Sequence, residues 1–227
     1  MTTPSFPYQG ILIRDLLDDT GQAATTGVPC VSPDIIPYGN DILSPAVASS
    51  TYNSDIGKPL SVGTGSTNNI FVRAKNLNPQ VQTGNVNLYY ATASLLNAPS
   101  IGGSWNPLVS ASGLSAVPLC DTQNPSSLNI ASQDVALSQT AFSFNNVVPP
   151  GVNDHYCLLA VVNDPQYPVD IPSSWATNSA FASWVQGNPA VAWRNLCHTA
   201  TQSTFSATYM FGNLNASAES VEFHITT

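Results

Sequence analysis

His155–Asn163, HYCLLAVVN, decides how this chain is read. Tyr156, Leu158, Ala160 and Val162 take one phase, and Cys157, Leu159 and Val161 the other, so both phases are apolar. Side chains alternate faces along a strand, and a strand with one wet face alternates apolar with polar residues. This stretch is therefore predicted to be covered on both faces. Pro149-Pro150-Gly151 before it and Asp164-Pro165 after it break backbone pairing and set its limits. A central strand of an antiparallel β-sandwich is the expectation.

Working outward, residues 68–76 (NNIFVRAKN) read as a half-exposed strand, with Ile70, Val72 and Ala74 inward and Arg73 and Lys75 outward. Residues 85–92 (NVNLYYAT) return with Val86, Leu88 and Tyr90 in phase, which predicts an antiparallel pair with 68–76. Residues 8–17 give an edge strand ended by the turn Asp18-Asp19-Thr20-Gly21. Residues 22–67 are rich in turn formers and are expected to wrap the sandwich with short edge pairings around Ser32-Pro33-Asp34-Ile35-Ile36. Strands are also expected within 128–138, 141–148 and 189–197, with a closing hairpin over 203–211 and 219–226. Only 173–187 looks helical, with Ser173 or Ser174 as cap and Gly187 as stop. No repeat or change of composition divides the chain. One domain is expected over 1–227, its core about 30–226 and its N-terminal edge strand 8–17.

Charge is scarce. Asp, Glu, Lys and Arg make up 8% of the 227 residues, against about 25% in an average domain. Ser, Thr, Asn and Gln must then supply the polar surface. The five basic residues, Arg14, Lys58, Arg73, Lys75 and Arg194, stand against a net charge of −8, so no basic patch forms. That disfavours nucleic acid and anionic membrane surfaces as partners. No apolar run approaches the roughly 20 residues of a spanning helix. MTTPSFPYQG shows neither the basic nor the apolar region of a signal peptide. The expected setting is extracellular or on a released particle. Cys30, Cys120, Cys157 and Cys197 form no CxxC pair, which argues against zinc. Cys157 reads as a buried free thiol; one disulfide among the other three stays open.

The order Ser-Pro-Asp-Ile at 32–35, NIFVRAKNLNP at 69–79, NVNLYYA at 85–91, DHYCLLAVVNDPQYP at 154–168 and NPAVAWRNL at 188–196 resembles the CARDB-like, immunoglobulin-like β-sandwich modules of bacterial proteins. The resemblance covers roughly 30–200, with large insertions at 93–140. It implies an all-β, antiparallel, immunoglobulin-like β-sandwich with long loops and one short helix. It also implies a role in adhesion, accessory binding or assembly, and it carries no catalytic signature. The second cysteine of antibody-type domains, expected on 68–76 opposite Cys157, is missing.

Candidate chemistry is thin. Of His155, His198 and His224, only His155 sits at the mouth of the central strand, and none follows a GxSxG elbow. It reads first as a strand-end histidine bonded to a loop carbonyl, with catalysis or metal binding as the alternative. Asp15, Asp18 and Asp19 lack calcium-loop spacing and read as a solvated turn. No catalytic residue, metal or cofactor is expected. Trp105, Trp175 and Tyr89 would form a sugar-stacking platform if they shared a bare face; the other reading makes such aromatics packing anchors. Asn215-Ala216-Ser217 is a formal glycosylation sequon. Function is expected to be non-enzymatic: an interaction or self-assembly protein using neutral faces and unblocked strand edges toward a protein partner or its own copies. The alternative is a cell-surface or glycan-binding module of a bacterial toxin or injection system.

Overall fold

Tyr156–Asn163 forms β10, the longest-buried strand of an all-β, mainly antiparallel chain. The computed structural model describes residues 8–21, 25–151, 154–200 and 205–206. Apart from Phe205 and Ser206, the expected closing hairpin lies outside them, as do the sequon and His224. The other strands are β1 (Ile11–Leu12), β2 (Ile35–Pro37), β3 (Leu60–Val62), β4 (Asn69–Asn76), β5 (Asn85–Thr92) and β6 (Asn106–Leu108). They continue with β7 (Ala116–Asp121), β8 (Val135–Ser138), β9 (Phe142–Ser143), β11 (Val191–Asn195), β12 (His198–Ala200) and β13 (Phe205–Ser206). Two helices accompany them, α1 (Pro45–Ser50) and α2 (Asn178–Gln186).

β10 pairs over its whole length with β5, Tyr156 opposite Thr92 and Asn163 opposite Asn85, and on its other edge with β11. Leu158, Ala160 and Val162 face the interior against Val72, Val86, Leu88, Leu119 and Ala192. Cys157, Leu159 and Val161 face outward, where Trp105, Trp175, Trp193 and the α2 residues Phe181 and Val185 cover them. The all-apolar pattern thus reflects a helix laid on the outside of the sheet. Each leucine so buried contributes about 1.5–3 kcal/mol.

The strands join into one ten-stranded, nearly closed sheet, with β3, β12 and β13 forming a second small one. The expected β4–β5 pairing is corrected. β4 pairs with β1 and β2 on one edge and with β8 and β9 on the other, whereas β5 pairs with β10, β6 and β7. β7 joins the halves: Ala116–Pro118 pairs with β5, and Leu119–Asp121 with β8. Asn76 explains why the chain does not fold straight back. Its amide donates to the carbonyls of Gln80 and Ile130 and its oxygen accepts from Asn78 N–H, tying the loop to 130–131 instead.

Two segments close the ring. Val31 bridges Arg194 of β11, and the same run continues into β2, which pairs with β4. Ile11–Leu12 pairs with Lys75–Asn76 of β4, and Ile13 N–H reaches Pro189 O at the approach to β11. The long edges of β4 and β11 are therefore covered. Open edges on these two strands, part of the expected basis for self-association, are not what the chain presents.

The outer face of β4 and β8 is covered too, which corrects the outward, solvent-exposed placement of Arg73. α1 was not expected, since six residues are too few to show a helical period. Ser44 caps it, accepting from Val47 N–H, and Pro45 opens it. Beneath it lie Phe71, Leu137, Ile36 and Leu43. Arg73 leaves the interior but enters this covered layer, fully buried, and donates to the carbonyls of Ala48 and Thr51 at the end of α1. α2 starts later than expected, at a Thr177 cap accepting from Ala180 N–H, and stops at Gly187 as read.

Candidate functional site

Three clusters of polar chemistry are engaged in holding the fold. At the first, Asp34 lies between two guanidinium groups. Arg14 grips it with two bonds, Nε to Oδ2 at 2.9 Å and Nη2 to Oδ1 at 2.8 Å, and Arg73 Nε adds a third at 2.9 Å. All three side chains are buried. Burial disfavours the Arg14 charge, but the bond and charge of Asp34 more than offset it, and its pKa sits above the ordinary arginine value. Tyr52 stacks under the Arg14 guanidinium at 3.6 Å.

At the second, Asp19 accepts from Gly21 N–H and Asp15 N–H, and Asp15 accepts from the Thr25 hydroxyl at 3.0 Å. Asp15 and Asp19 are thus buried and build the turn, which corrects the solvated reading for them, while Asp18 is exposed. Asp15 Oδ1 is buried with no partner among the described residues. Burial, with the Asp19 charge adding to it and the Thr25 bond opposing, pushes the Asp15 carboxyl from 3.8 up to about 7. The unfolded chain gives up this proton near pH 4 while the fold retains it until about pH 7. Stability from this residue is thus complete below pH 4 and declines as pH rises toward 7. Asp15→Asn is expected to flatten that part of the stability–pH curve, measured by urea unfolding between pH 4.5 and 8.

The third surrounds His155. Asp154 accepts from Ser94 N–H and Oγ and from the backbone N–H of His155, so it anchors main chain rather than the imidazole ring. Burial lowers the His155 pKa; a side-chain bond with Asn195 and the Asp154 charge oppose it, and His198 adds to the lowering. Asn195 accepts from the Cys157 thiol at 3.1 Å and donates to Cys30 Sγ at 3.3 Å. Burial pushes the Cys30 thiol up to about 11 and the Cys157 thiol higher still, which leaves both protonated and poor nucleophiles at neutral pH. The two flank Asn195, Cys157 on β10 and Cys30 on the segment before the Val31 bridge, their backbones about 10 Å apart by strand spacing, too far for a disulfide. All four cysteines are free. Among the described residues no three His, Cys, Asp or Glu side chains come close enough to hold a metal ion.

The aromatic trio does assemble, but as packing. Trp105 is fully buried and Trp175 nearly so, while Tyr89 is half-buried against the same outer layer. Phe181 occupies their stacking faces, its ring 5.5 Å from Trp105 and 5.0 Å from Trp175, and Trp184 lies 4.8 Å from Trp175. This corrects the bare platform for Trp105 and Trp175: α2 lies where a sugar would. Partly exposed aromatic rings meet elsewhere. Tyr8 and Tyr167 stand edge to face at 5.7 Å beside an open cleft of about 180 Å³ lined also by Val169, Asn188 and Pro189.

The surface best shaped for a partner lies between α1 and β9. Leu137 of β8 opposes Arg73 and Phe142 of β9 opposes Ile70, so three steps along β4 face five along β8–β9. Gln139–Ala141 bulge out, and the Val72 N–H left unpaired there donates to Ser138 Oγ. The break leaves two adjoining clefts of about 270 and 280 Å³ that share Ile42, Phe71 and Gln139. Phe71 and Leu137 form the floor; Ser44, Asn69, Gln139 and Thr140 form a neutral rim. Ile42 projects over both clefts with 73% of its surface exposed. The loop that carries it is pinned by Asn69 Nδ2 to Asp41 O and by the Lys58–Asp41 pair. Sequence reading missed this groove; its only trace is the polar Gln139-Thr140 between two apolar runs.

No family model, curated protein or solved structure matches the chain. The likeness to CARDB-like modules therefore rests on strand order and motif wording alone. Among the described residues no helix is long and apolar enough to cross a membrane.

Proposed function

We propose that the chain is a non-enzymatic interaction or self-assembly module, built on its nearly closed β sheet, and that the groove under Ile42 is its contact surface. The observation that carries this reading is the groove itself: an apolar floor, a charge-free rim and an aliphatic residue held out over water. Such a surface favours an apolar segment of a protein partner or of another copy. The histidine, cysteine and carboxylate groups described above are each buried, neutral or bonded to main chain, which supports a non-enzymatic role. A chain so poor in charge suits work outside the cell or on a released particle.

Ile42→Asp is the test. The side chain is exposed, so folding is expected to change by less than about 0.5 kcal/mol. Sedimentation velocity across a hundredfold concentration range, alongside crosslinking in the native fluid, should show association in the wild type and at least a tenfold weakening in the variant. Equal association of both proteins would remove the groove from the reading, and a wild type that stays monomeric and captures nothing would remove the reading.

The Tyr8–Tyr167 cleft favours a second reading, a glycan-binding module, because partly exposed rings beside an amide suit a neutral sugar. Tyr167→Ala should then abolish binding on a glycan array without altering association through Ile42.

A further inference from the structure

At the joint between the two sheets, two imidazole nitrogens lack partners. His155 Nε2 and His198 Nδ1 are both buried with no hydrogen bond among the described residues. Register brings their residues together. Cys157 opposes Asn195, and Leu196 N–H donates to Tyr156 O, so the run from β11 to β12 passes directly alongside the approach to β10. One residue further, Cys197 O accepts from Leu60 N–H, and His198 pairs with Leu60 in the small sheet. The joint thus has a histidine on each side.

The groups facing the pair offer little to a second positive charge. Among the described residues Asp154 is the carboxylate that acts on His155, and it is already held by Ser94 and the His155 backbone. Asn195 is neutral, bonds the His155 side chain and bridges two thiols. On the small sheet β3 carries Leu60, Ser61 and Val62, and β13 carries Phe205 and Ser206, none of them titratable in the acid range. Arg194 is engaged with Asp55. A positive charge on His155 would be desolvated at this joint.

We propose that the meeting of His155 and His198 makes an acid-sensitive joint, which releases β12 from the approach to β10 as pH falls through the acid range. β10 is buried on both faces and stays in place; β12 is the short partner that moves. A buried neutral histidine gives stability that is complete above its unfolded pKa and is lost as pH falls. The inference does not depend on the groove.

Amide hydrogen exchange tests it, because Leu60 N–H reports the bond to Cys197 and Val161 N–H reports the central strand. In the wild type the Leu60 protection factor should fall about tenfold or more relative to Val161 between pH 7.5 and 5.0, one pK unit of linkage being tenfold. His198→Gln, at the less buried of the two positions, and the His155→Gln/His198→Gln pair should both abolish the fall. Unchanged Leu60 protection in the wild type would overturn the proposal, as would an equal fall in the folded variants. If the double variant proves unstable, His198→Gln alone decides.

Discussion

Asp34→Ala is expected to cost about 3–5 kcal/mol and to lower the melting temperature by roughly 10 °C or more. Arg14 and Arg73 would be left fully buried with one carboxylate fewer and no water to replace it. Arg73 also holds the end of α1 and the carbonyls of Pro33 and Ser54, so the damage should spread to 45–54. Asp55→Ala gives the contrast. Its pair with Arg194 has a carboxylate 42% exposed, and the cost should lie within about 1 kcal/mol. Guanidinium unfolding of both variants checks the pair of values. Replacing Arg14, Asp34 and Arg73 together by Met, Leu and Met should recover most of the loss, because no buried charge is then left alone. An Asp34→Ala protein as stable as Asp55→Ala would be inconsistent with this account of the cluster.

Phe181→Ala comes next, with an expected loss of about 3–5 kcal/mol. Four tryptophan rings lie around Phe181, with centroids between 5.0 and 6.1 Å away. α2 is nine residues long and buries only Phe181 and Val185, so it has little else to hold it on β10 and β11. Removing the ring should loosen that layer before the ring of strands opens. Tryptophan emission should shift to the red, and iodide should begin to quench it, at denaturant concentrations where far-ultraviolet dichroism is still native. Coincident loss of both signals would mean that the layer and the sheet unfold as one unit.

The same two regions show what sequence could reveal. Val161 and Leu159 announced a cover on the far side of β10 because a wet face would have carried a polar residue there. Arg73 concealed the equivalent cover on β4. An arginine in the outward phase looks solvated unless its carboxylate is known, and Asp34 lies 39 residues away. Strand pairing failed similarly for β4 and β5: proximity along the chain suggests a hairpin, and nothing in 77–84 says that Asn76 turns the loop toward 130–131. Trp105 and Trp175 lie in one buried cluster, but exposure of a ring depends on a helix starting at Asn178. The groove was invisible because a bulge is a mismatch between two strands, and one strand's residues do not reveal it.

Ser32 O meets the Arg194 guanidinium across 162 residues of chain, beside the Val31–Arg194 bridge that completes the ring. Bringing such distant partners together costs loop entropy before any contact repays it. During synthesis Val31 and Ser32 must wait without their partner until β11 has left the ribosome. Acquisition of protease resistance by nascent chains should accordingly be abrupt and late, appearing only once residue 194 has cleared the exit tunnel.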